Sequence, residues 1–222
     1  GVAGLYVATS DLTIEDIRII GNTGGYGGVE VSNASPHFKN VLIRDNIGEY
    51  AGGAFINGQW GFTHPIFENV TIVGNEIMDG SSYDDGGIRL QSNGQLTLVN
   101  SIVRDNTPWE IKTLDNTLLD ISYTNIEGGI DDNFGITVEG DEVNWGTGNI
   151  DVDPRFRDSE NGDYNLFASS RLINAGDPEI TDSDGSRSDI GAYPYLNDYD
   201  GEAGWHVSTI GSDITGDGSS LN

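Results

Sequence analysis

Apolar and polar residues alternate in short segments of the chain, and several of these segments resemble one another. They span residues 36–46, 65–75 and 95–106, with a weaker copy at 12–22. Phe38, Val41 and Ile43 mark the apolar positions of the segment 36–46. Alternation with β-branched residues is typical of strands, whereas a helix would need apolar positions three and four residues apart. The pattern therefore predicts short strands.

These segments form a repeat. Each one ends in an asparagine, at positions 22, 46, 75 and 106, with spacings of 24, 29 and 31 residues. A glycine pair and an apolar run follow, beginning at Gly27, Gly52 and Gly86. Each unit is predicted to hold about three strands, two around an internal asparagine and one after the glycine pair. A repeat that cannot bury its own apolar face must stack on its neighbours, so the sequence predicts a solenoid.

The internal asparagines Asn40, Asn69 and Asn100 recur at the same point of each unit. Asparagine tolerates the left-handed backbone conformation, so we predict a bend between two strands at these positions. Stacked asparagine side chains also form hydrogen-bonded ladders in other stacked β structures. We therefore predict that these three residues form a structural ladder along the axis of the solenoid.

Two motifs connect this repeat to a known fold. They are Asn-Val-x-Ile-x-x-Asn, as at 40–46, and Gly-Gly-Ala-Phe, at 52–55. In them, from Leu12 to about Ile126, the chain resembles bacterial secreted right-handed parallel β-helix proteins, whose fold is shared by pectate lyases and many surface proteins. The resemblance implies an all-β, right-handed parallel β-helix for residues 1–126, followed by a C-terminal capping region. It indicates fold and leaves function open, because one fold serves many functions.

Residues 127–196 carry a different set of motifs, among them 153–156 (Asp-Pro-Arg-Phe), 175–177 (Ala-Gly-Asp) and 189–193 (Asp-Ile-Gly-Ala-Tyr). They resemble the closing segment of surface-anchored bacterial β-helix repeat proteins. The resemblance implies a cap, since the end of a solenoid exposes strand edges and apolar core that need cover.

Residues 197–222 combine a linker with a segment around Trp205 and Val207 that resembles the opening strand of such β-helices. Two explanations stay open. The segment is either the start of the next module in a tandem array, or it adds a strand to another copy of the chain. The second explanation predicts head-to-tail assembly through Trp205 and Val207.

The chain is strongly acidic, since 36 Asp and Glu residues against 10 Lys and Arg residues give a net charge of −26. Such a surface repels nucleic acid and anionic membranes, so we expect neither as a partner. The sequence has no cysteine and no apolar run of about 18 residues, which excludes disulfides and predicts no membrane span. This composition suits a protein in salt or calcium-rich water, and together with the resemblance above it predicts an extracellular or bacterial cell-surface location.

Aromatic residues precede the glycine pairs or lie in the long loops. Tyr26, Tyr50 and Tyr83 are expected to form a row on stacked units, with Trp60 and Trp109 in the loops nearby. Aromatic rows stack on sugar rings, which makes these residues candidates for polysaccharide binding. The alternative is that the tyrosines cover the loops and stack on one another.

Aspartates cluster around glycine turns in the C-terminal part. Asp182, Asp184 and Asp189 form one group, and Asp198 with Asp200 forms another. Hard oxygen ligands on short turns suit calcium, which is the cofactor that we predict. The alternative is a set of Asp-Gly turns whose side chains cap their own backbone.

Two hypotheses of function remain open. The first is a non-catalytic, extracellular structural or adhesive module that assembles head-to-tail into fibres. The second is a polysaccharide-binding or polysaccharide-degrading module, a lyase or hydrolase, of a secreted enzyme. No Gly-x-Ser-x-Gly, His-Glu-x-x-His or phosphate-loop motif occurs. His37, His64 and His206 fall at positions that we interpret as unrelated. We therefore favour the first hypothesis and predict no catalytic residue.

Overall fold

The computed structural model describes residues 4–81, 85–130, 135–139 and 142–196. In these residues the structure is all-β, with short parallel strands stacked in sheets and one 3-10 turn at Ser159–Asn161. The predicted all-β structure with stacked parallel strands is confirmed. We call each repeat unit a rung, because it places its strands beside those of the unit before it.

Three strands of the first sheet follow the glycine pairs, namely those that begin at Val29, Ala54 and Ile88. Its strands are parallel and paired residues lie one repeat apart, as for Val29 with Ala54 and Ala54 with Ile88. Its six strands are β1 (Leu5–Ala8), β5 (Val29–Ser32), β8 (Ala54–Asn57), β11 (Ile88–Gln91), β14 (Ile111–Leu114) and β17 (Ile136–Glu139).

The second sheet extends across the predicted bend. Its two long strands pass through the bend, and the shorter strands pair with them on one side of it or the other. Its nine strands are β2 (Thr13–Glu15), β3 (Arg18–Ile20), β6 (His37–Arg44), β9 (Ile66–Val73), β12 (Gln95–Val99), β13 (Ile102–Arg104), β15 (Leu118–Ser122), β16 (Asn125–Ile126) and β18 (Glu142–Trp145). With β17 and β18 the stack continues past the boundary that we placed after Ile126.

A third, short parallel sheet lies directly after the repeat asparagines, where the sequence analysis placed only loops. Its strands are β4 (Thr23–Tyr26), β7 (Ile47–Ala51) and β10 (Glu76–Ile77). The asparagines at the start of these segments keep neighbouring rungs in register, because Ile47 N–H donates to Asn22 O at 2.8 Å and Glu76 N–H donates to Asn46 O at 2.9 Å. This register allows the strands that follow to pair.

The core consists of inward side chains that stack in register from rung to rung. Phe38 and Phe67 pair across β6 and β9 with ring centroids 4.9 Å apart, and Phe67 pairs with Leu98 on β12. All three are fully buried. Burial of a side chain of this size stabilises the fold by about 1.5–3 kcal/mol relative to exposure. The alternation seen in the sequence is thus the alternation between core and outer face.

The predicted bend is present at the internal asparagines. Asn40, Asn69 and Asn100 have φ angles of 53°, 53° and 50°, in the left-handed region, and Asp16 has 55° in the preceding rung. Asparagine and aspartate adopt this conformation more readily than most residues. The bend therefore explains why these residue types recur there.

In the described residues these three asparagines bond to partners other than one another, and of the three only Asn40 bonds to the equivalent bend residue of a neighbouring rung. Asn40 Nδ2 donates to Asp16 Oδ1 at 3.1 Å. Asn69 Nδ2 donates to the backbone oxygen of Asp189 at 2.8 Å. Asn100 Oδ1 accepts from the N–H of Asp177 at 2.6 Å. Left-handed backbone turns these side chains outward, so two of the three bind the C-terminal region.

A continuous ladder is formed instead by the asparagines that end each repeat. In every step one asparagine donates its N–H and its Nδ2 to Oδ1 of the next. The Nδ2–Oδ1 distances are 2.9 Å from Asn22 to Asn46, 2.9 Å from Asn46 to Asn75 and 2.8 Å from Asn75 to Asn106. Asn46, Asn75 and Asn106 are buried. Because an unpaired buried amide is costly, the ladder fixes the register of the rungs.

Glu110 terminates this ladder. Asn106 donates its N–H to Glu110 Oε1 at 3.1 Å and its Nδ2 to Oε2 at 2.6 Å. The carboxyl group is almost completely buried. Burial raises the pKa of Glu110 to about 8, while the hydrogen bonds from Asn106 act in the opposite direction. A titratable carboxyl group therefore lies in the core at the position where another asparagine side chain would continue the ladder.

The glycine pairs beside the ladder are needed for close approach of neighbouring rungs. A Cβ atom at Gly28 would lie 2.2 Å from the carbonyl oxygen of Gly53, and one at Gly53 would lie 2.6 Å from that of Gly87. No side chain fits at such distances.

Residues 156–195 lie along the side of the stack, whereas we predicted a cap over its end. The outer surface beyond the bend carries apolar side chains, and Leu42 on β6 and Ile102 on β13 are almost fully buried beneath this segment. Leu172 and Ile190 pack on Ile102. The segment also contains an antiparallel pair, β19 (Phe156–Asp158) with β20 (Asp163–Leu166). Burial of this apolar side face is the physical reason for the lateral position.

Candidate functional site

Polar side chains line the outer face of the second sheet on the side of the bend that the C-terminal segment leaves open. Strand pairing places Ile66 between His37 and Thr97, and it places Lys39 beside Glu68. These residues alternate with the buried phenylalanines of β6 and β9, so they point away from the core. The outer face of the second sheet therefore carries a lysine, a histidine and a glutamate on two adjacent strands, β6 and β9.

Glu68 connects the two basic side chains. Its Oε1 lies 2.8 Å from Lys39 Nζ, and its Oε2 lies 3.0 Å from His37 Nε2. The contact with His37 is close but poorly aligned, since His37 Nε2 makes no hydrogen bond of acceptable geometry. We therefore describe it as a close contact and not as a hydrogen bond. The Glu68 side chain is only 13% exposed, so the carboxylate of this pair is largely shielded from solvent, while Lys39 is 40% exposed.

The loop 58–65 presents two aromatic side chains beside this face. Trp60 is 72% exposed and Phe62 is 68% exposed. The Phe62 ring lies 6.1 Å from the His64 ring, and His64 Nε2 is 2.9 Å from Thr97 Oγ1 on the same face. The two exposed aromatic side chains lie two residues apart in the loop, and exposed apolar surface of this kind is a common feature of interaction sites.

Hydrogen bonds from both neighbouring rungs hold this loop in place. Asn33 N–H donates to Thr63 Oγ1 at 2.8 Å, and Gln95 N–H donates to the Thr63 carbonyl oxygen at 2.9 Å. Thr63 Oγ1 in turn donates to Asn57 O at 3.1 Å. The two aromatic side chains are thus carried by an ordered loop, which lowers the entropy cost of binding.

On the opposite side, the C-terminal segment forms a wall with a cavity of about 290 Å³ at its foot. We call the whole surface, from Trp60 and Phe62 across His37, Lys39, Glu68 and Thr97 to residues 180–183, the outer groove. The cavity is lined by Lys39, Asn40, Glu68, Asn69, Ile180, Thr181, Asp182, Ser183, Ser188 and Pro194.

Tyr26 and Tyr50, the members of the predicted row that the structure describes, lie on neighbouring rungs. Tyr26 and Tyr50 lie on β4 and β7 with ring centroids 5.2 Å apart, and Tyr26 stacks on Phe55 at 4.5 Å. Both tyrosines are half-buried, as is Trp109. Tyr83 lies outside the described residues. Tyr26 and Tyr50 therefore pack on each other, as in the alternative that the sequence left open, and Tyr26 also covers Phe55 of the first sheet. Of the predicted aromatic residues, Trp60 lies at the outer groove.

The predicted calcium ligands mostly bind their own backbone. Asp189 Oδ1 accepts from Asn174 N–H at 2.6 Å, and Asp182 Oδ2 accepts from Asp189 N–H at 3.1 Å. Asp184 Oδ1 accepts from Ser186 N–H at 2.9 Å. Burial raises the pKa of Asp189 to about 6 and also raises that of Asp182.

Within residues 4–81, 85–130, 135–139 and 142–196, no group of three or more His, Asp and Glu side chains is placed to hold a metal ion. Asp198 and Asp200, the other predicted ligands, lie outside the described residues, as do Trp205 and Val207. Calcium binding and strand addition stay predictions.

We interpreted His37 and His64 as unrelated, but both contact the same face: His37 pairs with Ile66, and His64 Nε2 lies 2.9 Å from Thr97 Oγ1 on the next strand. A signal was present, because His37 follows Pro36 and His64 precedes the equivalent Pro65 of the next repeat. The ion pair between Lys39 and Glu68 had a similar signal in their equivalent positions. The ion pair was missed because the residue type at this outward position changes from one repeat to the next, so the repeat pattern does not mark it.

Comparisons with protein-family models, with curated proteins and with solved structures give no match. In the part of the chain that the structure describes, no helix has the length and apolar character that crossing a membrane requires.

Proposed function

We propose that this chain is an extracellular, right-handed parallel β-helix module of a bacterial surface protein that binds a polysaccharide along the outer groove. The stacked parallel sheets, with one repeat between paired strands, support a β-helix. Right-handed crossover is the rule for parallel strands of one sheet, which supports the handedness. The acidic composition and the lack of cysteine suit a surface location in salt.

One observation carries the binding proposal. Trp60 and Phe62 are exposed on a loop held by hydrogen bonds to both neighbouring rungs, beside a face of paired polar side chains. Aromatic rings stack on the apolar faces of sugar rings, and paired polar groups can exchange hydrogen bonds with hydroxyl groups. A stack of rungs offers this arrangement along its axis, which suits an extended polymer.

Replacement of both aromatic side chains is expected to remove binding. For Trp60→Ala combined with Phe62→Ala we expect an affinity loss of about tenfold or more, since each aromatic contact contributes roughly 0.5–1.5 kcal/mol beyond burial. Affinity electrophoresis in gels that contain a soluble polysaccharide measures the loss.

Tyr6→Ala is the matched control, because Tyr6 is 53% exposed on β1 of another sheet. Equal retardation of the double variant and the wild-type chain would contradict the proposal.

The other hypothesis, head-to-tail assembly, depends on residues 204–222, and it stays a prediction. If it holds, the full chain forms concentration-dependent polymers in negative-stain electron microscopy, and deletion of residues 204–222 abolishes them. Trp205→Ala with Val207→Ala should weaken them in the same direction. Polymers that persist after the deletion would rule out strand addition by this segment.

A further inference from the structure

We infer that the outer groove selects neutral glycans and discriminates against polyuronates. This inference rests on the proposed polysaccharide binding and names the chemical class of the polymer. It follows from two features of the groove: the positive charge of Lys39 is compensated within the protein, and the far wall is acidic.

Lys39 is the lysine of the outer groove, and its charge is already compensated. Its Nζ lies 2.8 Å from Glu68 Oε1, and strand pairing places Glu15 on its other side. A sugar carboxylate that approaches Lys39 also meets the Glu68 carboxylate, so repulsion from Glu68 offsets the attraction to Lys39.

Two further polar contacts lie along this face. His64 Nε2 lies 2.9 Å from Thr97 Oγ1, and Asn144 Nδ2 donates to Asp120 Oδ1 at 2.7 Å in the rungs that follow. Asp120 and Thr97 occupy the same outward row. The face thus offers hydroxyl, amide and carboxylate groups with spare acceptor sites, and these suit sugar hydroxyl groups.

The far wall adds negative charge. Asp182 lines the cavity beside Ser183, and burial together with the nearby Asp184 carboxylate raises the pKa of Asp182. A sugar carboxylate in this cavity would add to the repulsion between the Asp182 and Asp184 carboxylates. Over longer range the net charge of −26 repels a polyanion as well.

A neutral glycan meets none of these penalties. Its ring faces can stack on Trp60 and Phe62, which carry no charge, and its hydroxyl groups can donate to the carboxylates of Glu68 and Asp182. Such binding depends little on ionic strength, because screening acts on charged pairs.

The test compares the binding of the full chain to four soluble polymers by affinity electrophoresis. Hydroxyethylcellulose and galactomannan are neutral, polygalacturonate is anionic and chitosan is cationic. We expect the neutral polymers to bind at least about tenfold more tightly than polygalacturonate, with little change between about 0.05 and 0.5 M NaCl. Glu68→Gln, which removes the counter-charge of Lys39, should raise the affinity for polygalacturonate several-fold.

The outcomes separate this inference from the function on which it rests. Tighter binding of polygalacturonate or chitosan than of both neutral polymers, lost in the Trp60→Ala and Phe62→Ala double variant, would overturn the inference and keep polysaccharide binding. The absence of any binding that depends on Trp60 and Phe62 would overturn both.

Discussion

Asn75→Ala is expected to lower the free energy of unfolding by roughly 4 kcal/mol, since it breaks the ladder at its centre. Asn75 is fully buried, accepts from Asn46 and donates to Asn106 and to the Ile43 carbonyl oxygen. Alanine leaves buried donors and acceptors on both neighbouring rungs without partners. Each unsatisfied group costs about 1–3 kcal/mol.

Urea unfolding followed by circular dichroism measures this loss, with Asn165→Ala as the matched control. Asn165 lies at an exposed position on β20, and its side chain bonds only to Asp163, two residues away. The control should cost less than about 1 kcal/mol. If both variants unfold at the same urea concentration, the ladder does not stabilise the stack as we argue.

Glu110→Gln is expected to make the protein more stable than the wild type at pH 8 and above. Its folded-state pKa of about 8 exceeds the ordinary value of 4.5, so the folded protein holds a proton that the unfolded chain releases. The stability from this proton is complete below pH 4.5 and disappears as the pH rises towards 8. Since each pKa unit corresponds to about 1.4 kcal/mol, the wild type loses roughly 4 kcal/mol over this range.

The measurement is the difference in unfolding free energy between Glu110→Gln and the wild type at several pH values from 5 to 9. This difference removes the contribution of the other carboxyl groups, Asp189 among them. We expect it to lie within about 1 kcal/mol of zero at pH 5 and to favour the variant by a few kcal/mol above pH 8. Glu49→Gln, at an exposed position on β7, is the control and should show no such trend. A difference that does not change with pH would contradict the assignment.

The site could be predicted only in part. Trp60 was identified from its loop position, but two of the tyrosines expected beside it pack on each other. The sequence could not distinguish these cases, because exposure of an aromatic residue depends on what packs next to it. Phe55, on which Tyr26 stacks, belongs to the following rung. The ion pair between Lys39 and Glu68 likewise joins residues one repeat apart.

The ladder illustrates the same limit. Two series of asparagines share one period, and we predicted the ladder at Asn40, Asn69 and Asn100. The structure places it at the asparagines that end the repeats. Both series fit the repeat equally well in sequence. Only the backbone conformation decides that one series points into the core and the other towards the C-terminal segment.

The sequence by itself determined the all-β class, the stacking of parallel strands and the positions of the bends. These follow from local properties: alternation of apolar residues, recurrence at one period and the tolerance of asparagine for left-handed backbone. The tertiary structure alone decided the lateral position of residues 156–195, the buried carboxyl group of Glu110 and the composition of the outer groove. Each of these joins residues that are distant in the chain, and their contacts depend on register and burial, which no local pattern encodes.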